Sequence, residues 1–431
     1  MKPEFKQTEV GVIPEDWELA ALGDQFNFSG GFAASRAQLG TKGHCYLHYG
    51  DIHTSMRSYV DVSAEYADIP KLDISLTHIS TKAILRDGDV VFVDASEDDE
   101  GTSKYRVVIN PDDIPYISGL HTIVAKEKPG CRLKRSFRKY CFQSRYIKVQ
   151  FLFYATGIKV SGVSKPNIAK IFVVYPPIPA EQEAIASALG DADALIESLE
   201  RLIAKKRAIK QGTMQEILTA RRRLPGFKGE WENKQLGEIG EISGSGVDKK
   251  SRPDEVALRL VNYMDVARKD FIYSRDLGHW VTAPMAQARR CAVQKGDIFF
   301  TPSSETRENI GLAAVAMEDI PDATYSYHVV RLRLWADWDL RFRAYAFMTR
   351  GFLSQTEMYC DGSGTRYVLS QSKFRKLTVF VPADKDEQAA IATVLSDMDA
   401  EITALEGKLA KARAIKQGMM QELLTGRIRL V

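Results

Sequence analysis

The sequence lacks the features that define several large classes of protein. No run of about eighteen apolar residues occurs in its 431 residues, so we expect no transmembrane helix. Residues 1–6 (MKPEFK) lack the apolar stretch of a secretory signal. The five cysteines show no C-x-x-C spacing, which argues against a disulfide framework or a zinc ribbon. A reducing, cytoplasmic location is therefore expected.

Charge of one sign and the familiar catalytic motifs are also missing. The 59 Lys+Arg and 56 Asp+Glu give a formal charge of +3, which neither indicates nor excludes nucleic-acid binding. No G-x-x-x-x-G-K-[ST], G-x-G-x-x-G or G-x-S-x-G pattern occurs. No H-E-x-x-H pattern, which places two histidine ligands and a carboxylate on one helix face, occurs. We therefore expect no catalytic residue and no metal site.

An internal duplication dominates what is present. Residues 181–224 and 387–430 align without a gap, at an offset of 206 positions, and 28 of the 44 aligned pairs are identical. The stretches between them match less closely, although residues 86–92 resemble residues 294–300. The predicted order is a variable globule, a conserved helix, a second variable globule and a second conserved helix. These four parts span residues 1–180, 181–224, 225–386 and 387–431.

Because the two copies diverge in their globules and stay similar in their helices, these parts are predicted to have different roles. Parts that differ between copies can read two different targets, whereas parts that stay the same can hold two identical partners. Simple drift of surface loops is the alternative explanation.

Each repeated segment is predicted to be a long helix with a coiled-coil seam. Good helix formers dominate both segments, and apolar residues recur at alternating spacings of three and four. The seam residues are Leu189, Ala192, Ile196, Leu199 and Ile203 in the first helix and Leu395, Met398, Ile402, Leu405 and Leu409 in the second. Because the two seams nearly match and whole domains connect them, an antiparallel pair is favoured over helices that pack only on their own globules.

The second half of each helix is basic. Residues 201–223 carry a net charge of +7 and residues 407–429 a net charge of +5. Such faces can bind phosphates or acidic protein surfaces, but they can equally be ordinary solvated faces.

The globules are predicted to be mostly β. Short β-branched and apolar runs, such as residues 90–93, 171–174 and 298–300, alternate with Gly, Asp and Asn. A few helices are expected, for example at residues 136–153 and 340–358, where aromatic and basic residues interleave. Those two segments could contact nucleic acid or simply pack as amphipathic helices. The fold class is therefore α+β, with two mixed, mostly β domains, an antiparallel helix pair and pseudo-twofold duplication.

The helices carry the motif K-x-R-A-I-K-Q-G-x-M-Q-E-[IL]-L-T, and the first ends in R-L-P-G-F before a W-x-x-x-x-L-G segment. With the alternating order, the chain resembles the DNA-specificity subunit of a type I restriction-modification system over essentially its whole length. The resemblance implies two target recognition domains that each read one half of a bipartite double-stranded DNA sequence. It implies that the helices set the gap between half-sites and dock two methyltransferase subunits, and that two restriction subunits can also join. S-adenosylmethionine, ATP and Mg²⁺ would belong to those partners, and this subunit would catalyse nothing.

The family's loops also suggest which residues contact DNA. In the first globule they are Gly30, Gly31, Ser35, Arg36, Tyr49, Asp51, Ser103, Lys104, His121, Lys159 and Lys165. In the second they are Asn262, Tyr263, Asp265, Ser303, Ser304, Arg307, Tyr327, His328, Thr365 and Arg366. His121 and His328 can equally be structural. Besides the seam residues, Arg207, Lys210, Gln211, Arg413, Lys416 and Gln417 are expected to serve spacing and partner docking.

Two other hypotheses remain open at this stage. A coiled-coil scaffold could organise two globules for protein partners without any DNA specificity. A metal-dependent nuclease could use the acidic run at residues 97–100, although a solvated loop explains that run as well.

Overall fold

The computed structural model describes residues 4–96, 99–157, 161–244, 246–363 and 365–430, without the side chains of residues 99, 100 and 363. The chain divides into two units. Unit 1 comprises Met1–Leu199 and Lys408–Val431, and unit 2 comprises Glu200–Gly407. Within the described ranges, none of the helices combines the length and the apolar character that crossing a membrane requires.

Unit 1 contains sixteen described strands and five short helices before the first long helix. The strands are β1 (Phe5–Thr8), β2 (Gly11–Pro14), β3 (Glu18–Ala21), β4 (Phe26–Gly30), β5 (Leu39–Gly40), β6 (His44–Leu47), β7 (Tyr59–Asp61), β8 (Lys71–Leu72), β9 (Ile84–Leu85), β10 (Val90–Val93), β11 (Ala95–Ser96), β12 (Tyr105–Ile109), β13 (Tyr116–Ser118), β14 (Thr122–Glu127), β15 (Ser161–Gly162) and β16 (Phe172–Tyr175). The helices are α1 (Leu22–Gln25), α2 (Tyr49–Thr54), α3 (Arg135–Cys141), α4 (Arg145–Tyr154) and α5 (Lys165–Lys170), with 3₁₀ turns at Arg36–Gln38, Leu76–His78 and Asp99–Ser103.

The long helix α6 (Pro179–Ile217) follows, and unit 2 repeats the pattern of unit 1. Its strands are β17 (Trp231–Gln235), β18 (Gly240–Ser243), β19 (Val256–Val261), β20 (Phe271–Ile272), β21 (Trp280–Ala283), β22 (Ile298–Phe300), β23 (Ser303–Ser304), β24 (Ala313–Ala316), β25 (Ala323–Tyr325), β26 (Val330–Leu334), β27 (Asp361–Ser363), β28 (Arg366–Val368) and β29 (Thr378–Pro382). Its helices are α7 (Leu236–Ile239), α8 (Tyr263–Ala267), α9 (Met285–Arg290), α10 (Phe342–Tyr345), α11 (Arg350–Tyr359) and α12 (Gln371–Phe374), with 3₁₀ turns at Ser274–Asp276 and Arg307–Asn309, before the second long helix α13 (Lys385–Leu423).

The two globules share one sheet topology although their sequences diverge. Unit 1 has a five-stranded sheet of order β4-β14-β10-β12-β7, and unit 2 has one of order β18-β26-β22-β24-β20. Both sheets are antiparallel except for the last pair, β12–β7 or β24–β20, which is parallel. The central strands β10 and β22 are buried throughout, as their unbroken apolar sequences predict. The duplication seen in the helices therefore extends to the fold of the globules, which confirms the predicted α+β class.

A glycine turn precedes the central strand in both copies. Gly88 and Gly296 have φ values of +83° and +86°, a conformation that glycine adopts without steric cost. A side chain at Gly88 would also come within 2.7 Å of Arg135. The following carboxylates, Asp89 and Asp297, accept a hydrogen bond from the backbone N–H three residues earlier, at 2.9 Å in each case. This explains why the G-D pair survives in otherwise divergent segments.

The helices predicted at residues 136–153 and 340–358 are each interrupted. The first divides into α3 and α4 and the second into α10 and α11, because Ser144 and Thr349 cap a new helix in the middle of each segment. Phe137 and Tyr140 on α3 are buried, so this face packs into the core. The amphipathic interpretation is therefore supported for α3.

The long helices have 39 residues each and end earlier than the predicted residues 224 and 430. Ala220 and Gly426, which occupy equivalent positions, have φ values of +56° and +68°, and this left-handed conformation follows the helix end. Leu189 and Leu395 of the seam are fully buried in their own units. Within unit 2 the two helices run antiparallel, since Arg207 pairs with Glu406 and Lys210 with Asp399.

Candidate nucleic-acid interface

Six of the ten predicted residues of unit 2 line one cavity of about 710 Å³. Strands β23 and β28 pair at Ser303↔Val368 and Ser304↔Tyr367, which places the serines beside Arg366. Tyr263 enters from α8, and His328 from the turn before β26. The predicted residues that line it are Tyr263, Ser303, Ser304, His328, Thr365 and Arg366.

Arg366 is held in this cavity by two contacts. Its Nη2 donates to Ser303 Oγ at 3.0 Å and lies 3.4 Å from His328 Nδ1. Burial and the positive charge of Arg366 lower the pKa of His328, so the ring is neutral near neutral pH. The Tyr327 ring lies beside the His328 ring, with centroids 3.9 Å apart and ring planes inclined by 39°. A guanidinium fixed in this way has remaining N–H groups that can donate to a base edge.

The other predicted residues of unit 2 have structural contacts. Asn262 caps α8 by accepting from the N–H of Met264 at 2.9 Å, and Asp265 Oδ2 accepts from the N–H of Asn262 at 3.0 Å. Arg307 lies 4.9 Å above the ring of Tyr367.

In unit 1 an aromatic and histidine cluster brings predicted residues together. The Tyr49 ring contacts His121 at 5.5 Å and His53 at 6.1 Å, measured between ring centroids. Lys104 Nζ donates to the backbone carbonyl of His53 at 2.9 Å. His121 has a φ of +59° and lies 3.4 Å from Asp94. Tyr49, Lys104 and His121 therefore form one surface.

The remaining predicted residues of unit 1 do not belong to this cluster of aromatic and histidine rings. Arg36 pairs with Asp51 at 2.8 Å on the surface. Ser35 and Gln38 cap a 3₁₀ turn through hydrogen bonds of 2.8 and 3.0 Å. Ser103 ends the 3₁₀ turn before Lys104. Lys159 lies outside the described residues.

The two glycines of unit 1 have different surroundings. A side chain on Gly31 would overlap the backbone of Gly119, so close packing requires glycine there. A Cβ on Gly30 would lie 3.2 Å from Lys165 Nζ. Gly30 and Lys165 are thus neighbours.

Sequence reasoning missed several residues of these clusters. His48 and His53 flank Tyr49, and burial together with the charge of Arg36 lowers the pKa of His48. Arg268 and Asn309 line the cavity of unit 2. The two histidines could have been found from the sequence, since His48 caps α2 and His53 lies within it, on either side of the predicted Tyr49. No sequence pattern indicated Arg268 or Asn309.

Unit 1 is completed by residues of the second helix. Lys416 Nζ pairs with Asp193 at 2.5 Å, and Tyr140 donates to the same carboxylate at 2.8 Å. Burial and the charge of Asp193 raise the pKa of Tyr140, so it stays a neutral donor. Arg429 binds Glu181, whose side chain is 0 % exposed, through two hydrogen bonds.

Unit 2 shows the same arrangement with the copies exchanged. Lys210 Nζ pairs with Asp399 at 2.5 Å, and Tyr345 donates to it at 3.0 Å. Arg223 binds Glu387, whose side chain is 1 % exposed, at 2.6 and 2.7 Å. Every one of these residues corresponds to its counterpart in unit 1 at the offset of 206, or 205 for the tyrosine.

We call residues 200–224 and 408–430 the reciprocal segments, because each completes the unit built by the other copy. The buried apolar residues follow the same rule: Leu423 and Leu424 join the core of unit 1, and Ile217 and Leu218 join the core of unit 2. Lys210 and Lys416 were predicted to dock partners. In the structure each forms an ion pair inside one unit, Lys210 in unit 2 and Lys416 in unit 1. Arg207 also has an intramolecular ion pair, at 2.6 Å, whereas Gln211 and Gln417 are exposed.

Comparison with known proteins agrees with this architecture. Residues 228–413 match the family described as "Type I restriction modification DNA specificity domain". Two relatives come from Methanocaldococcus jannaschii. A putative type I restriction enzyme MjaX specificity subunit is 25 % identical over 243 residues, which cover 55 % of this chain and 52 % of that protein. The type I restriction enzyme MjaVIII specificity subunit is 23 % identical over 307 residues, which cover 68 % of this chain and 70 % of that protein.

Solved structures share the fold. The crystal structure of a type I restriction-modification S subunit from M. genitalium has a TM-score of 0.52 and 14 % identity, over 98 % of this chain and 99 % of that one. A structure of a type I restriction-modification assembly gives a TM-score of 0.53 and 16 % identity, over 96 % and 99 %. At these identities the match concerns the fold alone. The present chain spans about half the length of the first curated relative.

Proposed function

We propose, since this chain belongs to the family of type I restriction-modification DNA-specificity subunits, that it reads a bipartite DNA sequence with one half-site for each globule. The observation that carries this proposal is the pair of globules with one sheet topology and different surface clusters. A common scaffold with different polar side chains is what two different half-sites require.

The clusters of the two units suit two different readers. Unit 1 offers imidazole and phenol groups around Tyr49, whereas unit 2 offers a hydroxyl-lined cavity with Arg366 at its edge. Arginine favours guanine in the major groove through bidentate hydrogen bonds. Unit 2 therefore has the chemistry to read a G·C pair, and unit 1 reads its half-site by other contacts.

The proposal includes two methyltransferase subunits as partners, and two restriction subunits can join them. Exposed identical residues on the two long helices, such as Ile209 and Ile415, offer the same surface twice. The cofactors S-adenosylmethionine, ATP and Mg²⁺ would act on those partners, and the complex would work in the cytoplasm. No catalytic step is assigned to this chain, and its described residues contain no cluster of three or more His, Cys, Asp or Glu that could hold a metal ion. Glu97 and Asp98 of the acidic run lie outside the described residues.

Exchange of residues 20–178 for the first recognition domain of another family member tests the modular proposal. We expect only one half of the methylated sequence to change, because the second globule keeps its own contacts. The measurement is the mapping of methylated adenines in cells that also express the methyltransferase subunit. A change in both halves would refute the assignment of one half-site to each globule.

Arg366→Ala is expected to relax the second half-site at one base pair. Loss of one bidentate contact costs about 1–3 kcal/mol of discrimination, or roughly 5- to 150-fold. Competition between duplexes that differ at single positions measures this in the assembled methyltransferase complex. Arg341→Ala removes an exposed arginine of the same unit outside the cavity and serves as the control. Relaxation in the first half-site would contradict the assignment.

A further inference from the structure

A basic groove lies beside the candidate interface of unit 1. It has a volume of about 430 Å³ and opens between the start of α4 and the last turns of α13. None of its lining residues is acidic. They are Gln143, Ser144, Arg145, Lys148, Gln417, Met420, Gln421, Thr425 and Arg427.

The cations of this groove are available to a ligand. Arg145 and Lys148 are exposed, and neither has an ion pair in the described part of the chain. Arg427 has a side chain that is 64 % exposed, and its contact with Glu422 is a long 3.8 Å. The N-terminal end of α4, a helix of ten residues, lies at the same place and adds its positive partial charge. Arginine, lysine, amide and hydroxyl groups beside a helix N-terminus are the donors that phosphates prefer in protein–DNA contacts.

The groove continues the DNA-reading surface of unit 1. A second cavity, of about 250 Å³, shares Gln143 and Lys148 with it and extends to Arg57 and Lys104. Lys104 in turn contacts His53, beside Tyr49. Cationic side chains therefore extend from the predicted readers to Arg427, and Arg57 among them is paired with Glu197 at 2.9 Å.

Sequence identity between the two copies distinguishes the residues of this groove from the predicted base-reading residues. All five residues that the second long helix and its end contribute have identical counterparts in the first copy. The pairs are Gln417/Gln211, Met420/Met214, Gln421/Gln215, Thr425/Thr219 and Arg427/Arg221. At the start of α4 and α11, Arg145 corresponds to Arg350, each directly after a capping hydroxyl residue, whereas Lys148 corresponds to Leu353 and is specific to the first copy. Base readers must differ between different half-sites, whereas the phosphate backbone is the same in both.

We propose that this groove binds the phosphate backbone of the duplex beside the first half-site, with Arg145, Lys148 and Arg427 as the phosphate contacts. The inference rests on the proposed DNA-reading function and adds a positioning surface to it. An acidic segment of a partner protein is the competing ligand, and the experiment below distinguishes the two.

The test compares Arg145→Gln, Lys148→Gln and Arg427→Gln in the complex with the methyltransferase subunit. Each variant removes one contact with phosphate, so the slope of log K against log[salt] should become shallower by about 1. The loss should be equal on a duplex with the methylated motif and on an unrelated duplex, because phosphates carry no sequence. Lys42→Gln, at an exposed lysine of unit 1 that lines neither cavity, should leave the slope unchanged.

The experiment distinguishes failure of the groove proposal from failure of the proposed function. Wild-type slopes in all three variants, with selective binding intact, would overturn the groove proposal and leave the proposed function standing. Loss of the methyltransferase subunit during copurification would overturn it in favour of protein docking. A wild-type complex that binds no duplex selectively would refute the proposed function and this inference together. Equal melting temperatures of the variants and the wild type confirm that folding is unchanged.

Discussion

A chain that ends after residue 227 is expected to form a symmetric dimer. The reciprocal segment 200–224 nearly matches segment 408–430, which completes unit 1 in the whole chain. Lys210 and Arg223 of one copy can therefore occupy the places that Lys416 and Arg429 fill. With the methyltransferase subunit, this dimer should methylate a palindromic motif in which both halves equal the first half of the wild-type motif.

One residue limits the fit of that dimer. A Cβ at Gly426 would overlap Pro14 and come within 3.2 Å of Trp17, and the equivalent residue of the first copy is Ala220. The Ala220→Gly form of the short chain should therefore dimerise more tightly than the unmodified short chain. Analytical ultracentrifugation measures both affinities.

A charge-reversed short chain is the control for dimer formation. A short chain with Lys210→Glu and Arg223→Glu should stay monomeric, because both acceptors are carboxylates. If the short chain with Ala220→Gly is folded but monomeric at all concentrations tested, the reciprocal segments are not interchangeable and the expectation fails.

Arg223→Met and Arg429→Met are expected to destabilise unit 2 and unit 1, respectively, by about 3–5 kcal/mol. Each change leaves a buried carboxylate, Glu387 or Glu181, without its cation, and an unpaired buried charge is costly. Hydrogen bonding to Glu181 and Asp16 raises the pKa of Arg429, so the folded state favours the charged guanidinium. Urea denaturation followed by tryptophan fluorescence measures the loss.

The matched control removes both charges. Glu387→Gln combined with Arg223→Met should recover a large part of the lost stability, since the neutral amide is less costly to bury. Arg222→Met, next to Arg223 and 79 % exposed, should change stability by less than about 0.5 kcal/mol. Equal losses at residues 222 and 223 would show that the buried pair does not hold unit 2 together.

The long helices and central strands could be predicted because their patterns are local. A seam at spacings of three and four indicates a helix wherever it packs, and unbroken apolar runs such as Val90–Val93 indicate buried strands. The interruptions at Ser144 and Thr349 were missed because a capping hydroxyl competes with helix continuation only in a given tertiary setting.

Each unit is completed by the end of the other copy's long helix, and this could not be predicted by considering single residues. Lys210 and Lys416 look like solvated cations in the sequence, and their carboxylate partners, Asp399 and Asp193, are about 190 and 220 positions away. Likewise, the contact of Arg366 with His328 and Ser303 depends on strands that the sequence does not align. Chemistry at a surface can be guessed from residue types, but its grouping depends on the fold.

The proposed function is tested by asking whether this chain directs methylation of a bipartite motif. The wild-type chain is expressed with a type I methyltransferase subunit, and methylated adenines are mapped by single-molecule sequencing. We expect one bipartite motif with two unlike halves and a fixed gap. A soluble complex with an active methyltransferase that yields no motif, or a motif without a gap, would contradict the reading of two half-sites by two globules.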